Sequence, residues 1–220
     1  MESRTVLAPS VEPEEKKIFR LLSVEPDTED GRRLSCLLRE ARGIARPRAL
    51  LAHAFVEERT DDRVVIEGVE FSGSLVREKL GRVHRVYPYV VTCGGELDEW
   101  SRGIGDIVEN YWADCIKEAY LRETFGAVRK NLQETRGEGK LAHLSPGSLP
   151  AWPITEQRRL FSLLGDVEAL VGVRLTPSCL MIPAKSVSGI LFPTETSFEN
   201  CMHCPRPNCP SRRSAFTAAL

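Results

Sequence analysis

The order of segments along this 220-residue chain predicts an α+β fold. Three observations carry that prediction. A strand-rich section runs from Leu50 to Cys93, a long helical stretch follows from about Leu97 to Leu132, and short β-branched segments return after Val171. Hydrophobic residues make up 42% and charged residues 28% of the chain, the balance of a globular protein long enough for one sizeable core or two small ones.

Each element has a local reason. Residues 1–15 are acidic and proline-bearing and are expected to be loose. A first short helix sets Ile18, Leu21 and Leu22 on one face. A second begins near Asp27-Thr28-Glu29-Asp30, whose side chains suit a cap, and carries Leu34, Leu37, Leu38, Ala41 and Ile44 at helical spacing until Pro47 stops it. Leu50 to Glu57 is apolar, Asp61-Asp62 reads as a turn, and Val64-Val65-Ile66 reads as a strand. Gly73 to Leu80 suits a short helix. Arg85 to Cys93 is β-branched and aromatic, with Pro88 favouring an edge or a bulge. Gly94-Gly95 turns the chain into the long helical stretch, where Ile104, Ile107, Val108, Tyr111, Trp112, Cys115, Ala119 and Leu121 are spaced for a mostly buried helix broken or begun at Gly103 and Gly105. Ile154 to Leu164 is amphipathic, and Val171–Leu175, Cys179–Ile182 and Ser188–Phe192 read as strands.

The organisation that follows is a flexible N-terminus with a helical appendage over 1–45, an α+β domain over 46–200, and a cysteine-rich tail over 201–220. Formal net charge is -1, which gives no global reason to expect a nucleic-acid or membrane partner. The one-signed stretch is the tail after Asn200, with Arg206, Arg212 and Arg213, and reads first as a solvated terminus. No apolar run approaches the ~20 residues of a membrane span, and the N-terminus lacks the charged and apolar regions of a signal peptide. The expected compartment is the cytoplasm. Seven cysteines, an odd number, then argue against a disulfide framework.

Two constellations carry chemistry. The first is Leu144-Ser145-Pro146-Gly147, a tight turn followed by Ser148, Pro150 and Trp152. Such a fixed path is either a plain connection or a presenter of peptide N–H and C=O groups to a ligand with both a carboxylate and a cation, such as S-adenosylmethionine. Ser145, Gly147 and Ser148 would supply peptide groups and hydroxyls, Trp152 a flat surface for adenine, and Glu118 on the long helix a partner for the ammonium. The second is Cys201-Met202-His203-Cys204-Pro205-Arg206-Pro207-Asn208-Cys209. Three thiols at this spacing suit zinc or an iron–sulfur cluster, unless they are free thiols of a tail. Glycine-rich phosphate loops and a nucleophile elbow are absent, and no self-contained catalytic set stands out.

The motifs VTCGGELDEW, LSPGSLPAWPITEQRRLF, VRLTPSCLMIPAKSVSGI and the terminal cysteine cluster stand in the order and spacing found in one family. From about Arg46 to Arg212 the chain resembles freestanding members of the activation (reactivation) domain family of cobalamin-dependent methionine synthase. The resemblance implies a twisted, mainly antiparallel sheet flanked by helices. It implies S-adenosylmethionine held by Glu118, His143, Ser145, Pro146, Gly147 and Ser148, with no catalytic side chain of its own. His143 stands where the family carries Arg, and Ser148 where it carries Tyr. A fourth metal ligand beside Cys201, Cys204 and Cys209 is then Cys179, from the LTPSCLM segment, with Cys93 and His203 in reserve. The implied role is an accessory protein for reductive methylation of the cobalamin on a partner, either a corrinoid protein or a methionine synthase core without its own activation domain, with a reductase or other electron donor. The alternative is a non-catalytic zinc- or iron–sulfur-binding adaptor or electron-transfer partner of a corrinoid protein.

Overall fold

A computed structural model describes residues 3–195, 198, 200–204, 206–208, 212 and 214–217. Chain order gives β1 (Ser3–Leu7), α1 (Glu15–Leu22), α2 (Glu29–Ile44), β2 (Arg48–Arg59), β3 (Arg63–Ile66), β4 (Val69–Ser72), α3 (Ser74–Leu80) and β5 (Arg85–Thr92). Then come α4 (Gly95–Arg102), α5 (Ile107–Arg136), β6 (Leu141–Leu144), α6 (Gln157–Leu164), α7 (Val167–Val171), β7 (Arg174–Leu175), β8 (Met181–Ile182) and β9 (Ser186–Pro193). One seven-stranded sheet runs β4-β3-β2-β5-β9-β6, with β1 also paired to β2, and its pairings are antiparallel. β7 and β8 form a separate ribbon. The expected α+β fold with an antiparallel sheet flanked by helices is what the chain adopts.

Strand alternation sorts the core into two layers. From β5, Val86 and Val90 face one way, into a cluster with α3, α6 and α7. Tyr87, Tyr89 and Val91 face the other way, into a cluster with α1, α2, α4 and α5. Both faces of the sheet are therefore covered, and β5 reads as one apolar run because it is buried on each side.

Several local expectations hold for the reasons given. Thr28 caps α2 by accepting the Gly31 N–H at 3.0 Å, a contact that contributes about 1 kcal/mol. The helical stretch breaks at Gly103–Gly105, and α5 restarts under Asp106, which accepts the N–H groups of Val108 and Glu109 at 2.9 Å. Other expectations change. Ser3–Leu7, expected to be loose, forms β1, because the β2 edge between Ala49 and His53 offers it a ladder. Pro88 sits in a central strand, between β2 and β9. The β2–β5 ladder tolerates its missing N–H by skipping from Leu51↔Tyr89 to Ala54↔Val86. The start of α5 is not buried: Ile107, Val108 and Tyr111 are 87%, 50% and 61% exposed. No helix among the described residues is long and apolar enough to cross a membrane.

Candidate functional site

The geometry of the site follows from how β9 is paired. β5 pairs with β9 over Ser186–Leu191, but β6 pairs with it only over Ile190–Pro193. On its β6 side, Ser186–Gly189 therefore has no strand partner among the described residues; Ser186 and Val187 are half-buried there, and Ser188 and Gly189 are buried. The chain leaves β6 at Leu144 beside this open edge and enters the Ser-Pro-Gly turn. Gly189 permits the exit, since a Cβ there would stand 2.2 Å from the Leu144 carbonyl oxygen and 2.9 Å from Ser145 Oγ.

The turn itself is tied in at three places. Ser148 N–H donates to Ser145 O at 3.1 Å, and Gly147 N–H donates to Trp152 O at 2.8 Å. Ser145 Oγ lies 3.3 Å from the Tyr89 hydroxyl. Pro146 is buried, while Gly147 and Ser148 are exposed. Gly147 holds φ of +79°, and a Cβ on it would meet Ile154 Cδ1 at 2.6 Å. The third residue of such a turn needs positive φ, so glycine is specified twice over, by conformation and by contact.

On the other side of the open edge stands α5. Glu118 pairs with Arg122 at 3.2 Å and lies 3.8 Å from Lys185 Nζ, which in turn meets Asp114 Oδ2 at 2.8 Å. Burial alone lowers the Lys185 pKa. The hydrogen bond and charge of Asp114 and the charge of Glu118 outweigh it, and the net shift is upward. Lys185 immediately precedes β9 and Gly189 lies four residues on, so the backbones of these two residues are about 13 Å apart along the strand.

Two expected roles change with this placement. Trp152 offers no surface to adenine: it is fully buried, 6.3 Å from Phe71 in an edge-on pair. His143 is 5% exposed and edge-on to Phe125 at 5.4 Å, because alternation along β6 turns it onto α5. It cannot reach out from the loop as an Arg would. The residues missed in the sequence are Asp114 and Lys185. Their meeting depends on α5 packing along β9, and no motif spans that separation.

The Trp152 indole N–H and the Ser188 hydroxyl are buried without a hydrogen-bond partner among the described residues. Trp152 packs in the core cluster on the α6 side, and strand alternation turns Ser188 towards that same side, away from α5. Each unmet group costs on the order of 1–3 kcal/mol unless a ligand or water meets it.

The cysteines are arranged differently from the turn. Cys179 is buried, with φ of +65°, and its sulfur accepts from Arg158 Nε at 3.2 Å. In the tail, the Arg212 guanidinium donates to the carbonyls of Cys201 (2.8 Å), Cys204 (2.9 Å), Arg206 (2.6 Å) and Ser214 (3.3 Å). No group of three or more His, Cys, Asp or Glu suited to a metal gathers among the described residues, and Cys209 lies outside them. Cys93, a reserve ligand, is fully buried, and burial pushes its thiol up to about 12.

A concavity of about 1070 Å³ lies at the opposite end of β5 and β9, lined by Lys79, Arg82, Arg85, Lys140, Phe192 and Phe198 among others. It holds none of the residues of the turn or the Glu118 cluster, and the convergence of peptide edge, carboxylates and turn places the candidate site at the other end.

Residues 104–202 match the family model for the vitamin B12-dependent methionine synthase activation domain. Over that segment, just under half of the chain, the sequence is similar to that activation domain. The match contains α5, the Ser-Pro-Gly turn, β9 and Cys179, so the whole open edge falls inside the family segment. A solved structure of the MetH reactivation domain bound to AdoHcy resembles this one with a TM-score of 0.62. That likeness covers 90% of this chain and 81% of the other at 16% identity, so the shared fold extends beyond the segment matched in sequence. No curated protein matches the chain.

Proposed function

We propose that this chain binds S-adenosylmethionine along the open half of β9 and supports reductive methylation of cobalamin carried by a partner. The observation that carries the reading is the unpartnered Ser186–Gly189 edge, flanked by a glycine-specified turn and the Glu118 carboxylate, inside the activation-domain segment. The solved relative with AdoHcy, the demethylated product, supports the same ligand class. Ser145, Pro146, Gly147 and Ser148 shape the turn and supply peptide groups, Glu118 receives the ammonium, and His143 supports the turn from beneath through Phe125.

S-adenosylmethionine supplies the methyl group, the partner's corrinoid supplies cobalt, and a separate reductase or other donor supplies the electron. This chain's contribution is to bind, orient and exclude water, so its effect on rate is one of positioning. The partner is a corrinoid protein or a methionine synthase core that lacks its own activation domain, and the compartment is the cytoplasm. The exposed start of α5, with Ile107, Val108 and Tyr111, adjoins the Glu118 cluster and offers the partner an apolar docking face. Isothermal titration with S-adenosylmethionine tests the ligand half. Heat is expected from the wild type and a severalfold loss of affinity from Glu118→Gln; no heat with the wild type, with or without a corrinoid protein present, removes the reading.

A second reading is a zinc- or iron–sulfur-binding adaptor or electron carrier that uses Cys201, Cys204 and Cys209, with Cys179 as fourth ligand. The gathering of the Cys201 and Cys204 backbones on Arg212 favours a compact tail of this kind. Metal analysis of anaerobically purified protein decides it: stoichiometric zinc or iron supports the reading, and neither metal removes it.

A further inference from the structure

We propose that Lys185 is the residue that recognises the carboxylate of the methyl donor, so that Lys185, Glu118 and Asp114 together form a receptor for its amino-acid end. This rests on the S-adenosylmethionine reading given above. An α-amino acid carries an ammonium and a carboxylate side by side, and a matching surface must present an anion and a cation side by side. His143 is turned inward against Phe125 and cannot serve as that cation. Beside Glu118 stand Arg122 on its own helix and Lys185 at the entry to β9.

Lys185 has the geometry for the task. Its backbone is fixed at the head of the strand, where its carbonyl accepts the Cys93 N–H at 3.1 Å. Its side chain is 23% exposed, which leaves the ammonium at the surface and the stem packed. An ammonium has three N–H donors. Asp114 takes one at 2.8 Å, and Glu118, at 3.8 Å, is near enough to attract the charge but too far to share a hydrogen bond. Two donors therefore remain for a carboxylate, while Glu118 stays within reach of the neighbouring ammonium. The strand from Lys185 to Gly189 leads from this pair to the Ser-Pro-Gly turn, and the proposal assigns the adenosine end to that turn. The open peptide edge of Ser186–Gly189 runs between the two.

The same contacts admit an opposite role, in which Lys185 occupies the carboxylates and must be displaced by the ligand's ammonium. The two differ in sign, and a ligand lacking the carboxylate separates recognition from mere folding. The full chain is titrated calorimetrically with S-adenosylmethionine and with its decarboxylated form. The wild type is expected to prefer the carboxylate-bearing ligand by at least about tenfold. Lys185→Met should weaken S-adenosylmethionine binding by about ten- to hundredfold, leave the decarboxylated ligand within about threefold, and so erase the preference. Lys185→Arg should restore most of it. Equal or tighter binding of S-adenosylmethionine by Lys185→Met overturns the proposal, as does equal loss of both ligands, which marks a purely structural lysine. A wild type that gives heat with neither S-adenosylmethionine nor S-adenosylhomocysteine removes the binding reading, and this inference falls with it.

Discussion

The two halves of α5 are built for different ends. From Tyr120 to Leu132 the helix buries Tyr120, Leu121, Phe125, Val128 and Leu132, with Phe125 against the sheet residues Tyr89 and His143. From Ile107 to Glu118 it buries Trp112, Ala113 and Ile116 on one side but leaves Ile107, Val108 and Tyr111 in solvent and gathers Asp114 and Glu118 on Lys185. The C-terminal half holds the fold, and the N-terminal half adds charge and exposed apolar surface to its own buried stripe. Apolar spacing alone cannot tell them apart, since both halves repeat at helical intervals. The difference lies in what the sheet offers opposite each half: paired strands behind Phe125, and the open edge of β9 beside Glu118.

The sharpest way to break that contrast is at Phe125, which packs on Tyr89 at 5.1 Å and His143 at 5.4 Å. Phe125→Ala should destabilise the protein by about 3–5 kcal/mol in urea unfolding; a loss below about 1 kcal/mol means this half is not structural. Next in size is Gly147→Val, which places a branched side chain at φ of +79° against Ile154. It should cost about 1–3 kcal/mol and abolish calorimetric S-adenosylmethionine binding, and unchanged binding disconnects the turn from the ligand. The exposed half predicts the reverse pattern. Ile107→Glu with Tyr111→Ser should shift stability by no more than about 0.5 kcal/mol while weakening association with a corrinoid protein in sedimentation or surface-binding assays. A large drop in unfolding temperature for that pair assigns the face to the core after all. The smallest effect is expected at Thr28, where Thr28→Ala should cost about 1 kcal/mol through the lost cap on Gly31 and leave ligand binding untouched.

Much of the fold was legible in the chain. The α2 cap at Thr28, the β5 run, the break at Gly103–Gly105 and the turn at Pro146-Gly147 follow from local chemistry that needs no distant partner. The misses share one cause, because each depends on what comes alongside. β1 is a strand because β2 has a free edge there, and Pro88 survives in a central strand because the ladder skips a step. Ile107 is exposed because none of the described residues packs over it. The same holds for the site. Glu118 and the turn could be named from the sequence, but Lys185 joins Glu118 only after α5 lies along β9. Trp152 looked like a platform and became core because the turn folds its indole against Phe71. His143 looked outward in the sequence, and one step of strand alternation turned it in.

The four carbonyls that converge on Arg212 make the order of the last segment hinge on a single side chain. Substituting Arg212 would release all four of those carbonyls at once, so loss of one side chain acts on four backbone positions together. Arg212 thus acts as a latch pin for the backbone on either side of it, the carbonyls of Cys201 and Cys204 included.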